Sequence, residues 1–194
     1  DKDVFVYDKM FTWGTDSFYC TISAILAHHL IMLIGDTGAG KTTFCFSVAM
    51  KNAIEGKKVL FLSLEMDEEE ICTRFARSYA GITKAEWRDK KTINETKKSA
   101  FNRKKQELKG VQNLFLKGFP KGVEALTENI FAIILEVNPD LVFIDNFDLI
   151  AKASGRSEYD EQNRISGELM RFAQTERVPL IVMHHKKKGN TEGT

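Results

Sequence analysis

Residues Gly35-Asp36-Thr37-Gly38-Ala39-Gly40-Lys41-Thr42 spell G-x-x-x-x-G-K-T and run on into Thr43. Each residue type meets a need of a bound triphosphate. The glycines let the backbone curl without Cβ clashes, so successive N–H groups point inward at phosphate oxygens. Lys41 brings a point charge to the β- and γ-phosphates, and is expected to be an exposed charge in the empty site. The Thr42 hydroxyl is placed to ligate Mg²⁺. An apolar run, Leu30-Ile31-Met32-Leu33-Ile34, precedes the loop and reads as a buried strand. A helical pattern from Thr43 to about Gly56 follows it. A helix N-terminus directly after the loop adds its dipole to the attraction for phosphate. A chance glycine-rich turn would not bring these flanks with it.

Other strand ends carry the remaining chemistry. Asp145 closes the apolar run Leu141-Val142-Phe143-Ile144. A carboxylate there can help hold Mg²⁺, commonly through water. A turn or capping Asp is the plain alternative, and the upstream loop weighs against it. Glu65 follows Leu62-Ser63-Leu64. It either polarises an attacking water at the γ-phosphate or merely opens the next helix, where acids are favoured. His184 and His185 end the last apolar run. One of them can hydrogen-bond a γ-phosphate, or the two are an ordinary surface pair. A zinc site is disfavoured, because His28 and His29 lie at the opposite end of the first strand and no Cys stands at ligand spacing.

These residues need a scaffold, and the hydrophobic pattern supplies one. Apolar strands are read at 30–34, 58–64, 113–117, 141–145 and 178–183. Helices are read from Asp67 to Ala80, from about Val123 to Val137, and from Tyr159 to Thr175, with a loop at 151–158. Strands that are apolar throughout and separated by helices imply an α/β fold: a parallel sheet covered on both faces. Ligands in such sheets lie at the carboxyl ends of the strands. The 194 residues suffice for one such domain.

Composition narrows the classes further. The net charge of +1, with 43% hydrophobic and 28% charged residues, excludes a polycationic nucleic-acid binder. Cys20, Cys45 and Cys72 form neither a disulfide framework nor a zinc pattern, which suits the cytoplasm or another reducing compartment. No apolar run approaches the roughly 20 residues that span a bilayer, so no membrane role is expected. No signal peptide opens the chain, and its first residue is Asp1, which suggests a trimmed piece of a longer protein. Charge is uneven, however. Residues 82–110 hold ten Lys/Arg against four Asp/Glu. Either this basic insert contacts nucleic-acid phosphates, with Trp87 or Phe101 stacking on bases, or it is a solvated helical hairpin with those aromatics packed on the core. The hairpin is the favoured reading.

The pattern as a whole resembles the DnaB-type replicative helicases. Ser63-Leu64-Glu65-Met66 is similar to that family's S-L-E-M signature, and Leu141 to Ile150 to its I-D-Y-L-Q-L-I strand. Asn163-Arg164-Ile165-Ser166 with Leu169 to Ala173 is similar to its N-R-x-x-E-I-S helix. Val178 to His185 is similar to V-P-V-I-x-L-S-Q, and Trp13-Gly14-Thr15 to the segment that enters the motor domain. The resemblance implies a RecA-like P-loop ATPase over residues 1–194, using ATP and Mg²⁺. It implies Lys41, Thr42 and Asp145 at phosphate and metal, Glu65 as the catalytic carboxylate, and His185 as the γ-phosphate sensor. It also implies a homo-oligomeric ring, a hexamer, on single-stranded DNA. Where the family has L-N-R after the sensor, this chain has Lys186-Lys187-Lys188, candidates for contact with nucleic acid or a neighbouring site. The family's later strands, arginine finger and part of its DNA-binding loops would lie beyond Thr194. A RecA- or KaiC-like ATPase that is not a helicase, and a nucleotide-binding assembly protein with negligible turnover, are the rival readings.

Overall fold

A computed structural model describes residues 25–152 and 157–185. The elements run β1 (Leu30–Gly35), α1 (Lys41–Ile54), β2 (Val59–Ser63), α2 (Glu68–Tyr79), α3 (Lys84–Arg88), α4 (Glu95–Gly110), β3 (Leu114–Gly118), α5 (Thr127–Val137), β4 (Leu141–Asp145), α6 (Glu158–Glu176) and β5 (Leu180–His185). Short 3₁₀ turns lie at Lys90–Thr92 and Phe147–Leu149. The five strands form one sheet in the order β1-β5-β4-β2-β3, and every pairing is parallel.

Side chains alternate across the sheet as strand geometry demands. Val59, Phe61, Leu141, Phe143, Ile181 and Met183 face one core with Cys45, Ala49, Ile71 and Phe75 of α1 and α2. Leu60, Leu62, Val142, Ile144, Leu180 and Val182 face a second core with Ile130, Ile134, Ile165 and Leu169 of α5 and α6. Both faces are covered, so the central strands are apolar until their carboxyl ends, where Ser63, Asp145, His184 and His185 stand. The Phe46 and Phe75 rings stack to join α1 and α2.

Most element boundaries shift by a residue or two from the sequence reading, and two of the shifts have a visible cause. The helix expected from about Val123 begins at Thr127. Gly122 takes φ +80°, and the Ala125 carbonyl accepts from Ala151 N at 3.0 Å, so this stretch is tied to the segment after β4. The last strand begins at Leu180 rather than Val178 and runs through His185. Pro179 has no N–H to give a ladder, although its carbonyl accepts from Val142 N.

The basic insert is a helical hairpin seated on α2. Phe101 packs against the first core, with the Trp87 ring 5.3 Å from it. Lys97 pairs with Glu86 at 2.6 Å, and Lys105 and Lys109 both reach Glu69 on α2. Capping boxes start α2 at Asp67 and α3 at Thr83, satisfying otherwise orphaned helix N–H groups.

Candidate active site

The register sets the floor of the site. Asp145 on β4 lies beside Ser63 on β2, which lies beside Gly118 on β3. His185 on β5 is level with Gly35 on β1. The chain crosses from β1 over to β2, past β5 and β4, so β1 and its neighbours open a crevice at their carboxyl ends.

The loop between β1 and α1 closes one wall of that crevice. Gly38 and Gly40 take φ +86° and +92°, and a Cβ on either would meet nothing within 4 Å. Glycine is needed there for its backbone angle, not for space. Gly40 caps α1 with no side-chain hydrogen bond, and the first turn holds no acid. Its N–H groups are therefore left for an anion.

Lys41 is the departure from expectation. It is 8% exposed, not an exposed charge. Its ammonium donates to the Gly35 carbonyl at 2.6 Å and the Asp36 carbonyl at 2.9 Å. The His185 Nδ1 atom lies 3.2 Å away. The loop folds its cation back on its own backbone, because a buried ammonium needs acceptors.

Asp145 is 3% exposed, and its Oδ2 atom has no hydrogen-bond partner. Burial pushes its carboxyl up from the ordinary range, and a hydrogen bond from the Thr42 side chain and the nearby Arg74 charge only partly offset this. A buried carboxylate with a bare oxygen beside a hydroxyl is a hard-oxygen donor set. That suits Mg²⁺, which keeps its waters and takes few protein ligands. Among the described residues no cluster of three or more His, Cys, Asp or Glu could hold a metal by itself. Cys45, buried nearby, has its thiol pushed up to about 12, chiefly by burial, and is inert.

Glu65 is placed by Ser63. The buried Ser63 hydroxyl accepts from Met66 N at 2.9 Å and Glu65 N at 3.3 Å, turning the chain sharply after β2. Glu65 is left exposed at the crevice rather than inside the next helix, whose cap is Asp67. The two histidines part company because strand neighbours point to opposite faces. His185 turns to the loop, with Nδ1 3.3 Å from Thr37 Oγ1 and Nε2 3.2 Å from Asn146 Nδ2. His184 turns away, against the Phe147 ring and Asp148.

One cleft of about 570 Å³ is lined by Thr37, Gly38, Gly40, Lys41, Thr42 and Thr43 together with Glu65, Asp145 and His185. Arg74, Arg77 and Lys84 line it as well, and the sequence reading missed them. The signal was available: Arg74 and Arg77 are three apart on the helix that follows Glu65, hence on one face. Lys186, Lys187 and Lys188, Trp13-Gly14-Thr15 and Cys20 lie outside the described residues.

Comparison with known proteins agrees with this geometry. Residues 14–191 match the family described as DnaB-like helicase C terminal domain. No curated protein matches the chain. Among solved structures, the "ATPase Domain of G40P" superposes with a TM-score of 0.68 at 18% identity, over 84% of this chain and 59% of that one. A DnaB-like replicative helicase, described with its interactions with primase, gives a TM-score of 0.68 at 19% identity, over 83% of this chain and 39% of that one. This chain thus spans less than two thirds of either structure's length. At such identity the superpositions carry the fold, which is RecA-like. The family match over residues 14–191 shows that the chain belongs to the DnaB-like helicase C-terminal domain family.

Proposed function

We propose that this chain binds MgATP at residues 35–43 and hydrolyses it, as the ATPase core of a DnaB-like replicative helicase working on single-stranded DNA. The observation that carries the reading is convergence. Lys41 with Thr42, Glu65, Asp145 and His185 come from four separate stretches of chain and meet on one cleft.

The roles follow from position. The loop N–H groups and the N-terminus of α1 hold the phosphates. Lys41 releases its carbonyl partners and turns to the β- and γ-phosphates. Thr42 and Asp145 would hold Mg²⁺, which would supply positive charge to offset that of the phosphates. Glu65 orients and polarises the attacking water, and His185 contacts the terminal phosphate. Arg74 lies close enough to affect Asp145, and it adds positive charge where negative charge develops.

The helicase reading places this core in a homo-oligomeric ring, a hexamer, whose sites are finished by a neighbour's cation. In GTPases a finger supplied in trans is worth roughly 10³–10⁵ in rate. On that reading a dilute monomer should bind MgATP but turn over very slowly, with single-stranded DNA changing little. Calorimetric titration and phosphate release with and without single-stranded DNA test this. Absence of MgATP binding overturns the site. Brisk turnover by a strict monomer means that the site is complete in cis and favours the RecA- or KaiC-like non-helicase reading. Among the described residues no helix is long and apolar enough to cross a membrane.

A further inference from the structure

We propose that Asn146 is a positioning residue that fixes the tautomer of His185. The neutral ring then carries its proton on Nδ1 and presents it, beside the Lys41 ammonium, to a phosphate oxygen. The phosphate half of this rests on the function proposed above; the tautomer does not.

The argument begins at the amide. Asn146 Oδ1 accepts from Asp148 N at 3.0 Å, which decides which way the side chain points. Its NH₂ group is thereby aimed at His185 Nε2, 3.2 Å away. Turning the amide over would set NH₂ against the Asp148 N–H, donor against donor, at a residue only 4% exposed. An amide nitrogen can only donate, so Nε2 must accept. A neutral imidazole has one lone-pair nitrogen and one N–H, so the proton is on Nδ1. The other end of the turn is pinned too, since Asp148 Oδ2 accepts from His185 N at 2.9 Å.

Nδ1 faces Thr37 Oγ1 at 3.3 Å and Lys41 Nζ at 3.2 Å. The threonine hydroxyl can accept the Nδ1 proton. The ammonium cannot, because it has no lone pair. Lys41 is held by its shorter bonds to Gly35 and Asp36, and its approach to Nδ1 is a meeting of two donors. Two donors side by side call for one shared acceptor. A terminal phosphate oxygen is such an acceptor, and a nucleoside diphosphate lacks the terminal group. The opposite tautomer, with Nδ1 accepting from Lys41, would press an Nε2 proton against the Asn146 NH₂.

The ring nitrogens can be read directly in the ¹⁵N-labelled, nucleotide-free chain at a pH of about 8.5, above the ordinary histidine range. A His185→Gln variant identifies its signals among the four histidines. The expected result is a protonated Nδ1 and a bare Nε2. Asn146→Asp should reverse this, because a carboxylate accepts from Nε2–H. It should also cut the preference for a non-hydrolysable ATP analogue over ADP by about tenfold, one charge-assisted hydrogen bond, with ADP affinity little changed. A wild-type ring protonated on Nε2 overturns the proposal, as does an unchanged tautomer in Asn146→Asp. The wild-type spectrum decides the matter even if the variant does not fold. MgATP binding with an Nε2–H ring overturns the Asn146 role alone. An Nδ1–H ring in a chain that binds no nucleotide overturns the proposed function alone.

Discussion

The Gly35 carbonyl oxygen accepts a 2.6 Å hydrogen bond from the Lys41 ammonium, closing the loop on itself across six residues. Lys41 therefore has a structural part before it meets any phosphate. Lys41→Ala should abolish MgATP binding and also destabilise the fold by about 1–2 kcal/mol, through the loss of the two hydrogen bonds that its ammonium gives the Gly35 and Asp36 carbonyls. The melting temperature should fall by roughly 2–8 °C. Titration and thermal unfolding check both halves. MgATP binding at unchanged affinity would remove the phosphate-loop assignment.

Glu65 is exposed at the crevice and is held there by its backbone, not by its carboxylate. Glu65→Gln should keep the fold and nucleotide binding. It should lose turnover by on the order of a hundredfold or more, the scale of general-base catalysis. Phosphate release, measured in whichever form of the protein hydrolyses ATP, reads this out. Full activity in the variant would reduce Glu65 to a residue before a helix cap.

Gly118 meets the turn that carries Glu65. A Cβ at Gly118 would fall 2.7 Å from Asp67 Cα and 2.8 Å from the Met66 carbonyl oxygen, both backbone atoms that cannot swing aside. Gly118→Ala should cost about 1–3 kcal/mol by overpacking. It should also lower turnover by shifting the Glu65–Met66 turn. Denaturant unfolding gives the first quantity and phosphate release the second. A variant of wild-type stability would show that β3 and this turn are further apart than described.

Glu86 tests the hairpin. Its carboxyl is held down at about 2, first by the hydrogen bond from Lys97 and then by the Thr83 backbone N–H. A depressed value means that its stabilisation is fully present above the ordinary glutamate value of 4.5 and is lost as pH falls through about 2. Glu86→Gln should flatten the acid limb of the stability curve across that window and leave MgATP binding at neutral pH unchanged. Unfolding followed from pH 5 to pH 2 checks it. An identical acid limb in both proteins would remove the Glu86–Lys97 pair from the fold.

The amino-acid sequence by itself determined the loop, the covered parallel sheet and the family, because all three are local. Gly38, Gly40, Lys41 and Thr42 are neighbours in the chain, and an apolar run such as Leu141 to Ile144 reports burial on both faces without reference to any partner. Tertiary structure decided what depends on distance through space. It separated His185 from His184, because strand pleat and the β1–β5 register turn only one of them to the loop. It buried Lys41 against carbonyls six and five residues back. It brought Arg74, Arg77 and Lys84 to the cleft from an adjoining helix and the start of the insert. It seated the basic insert on α2 through Glu69, a partner no charge count along the chain could name. And it set Asn146 against His185, 39 residues apart, where the direction of one amide decides which ring nitrogen keeps its proton.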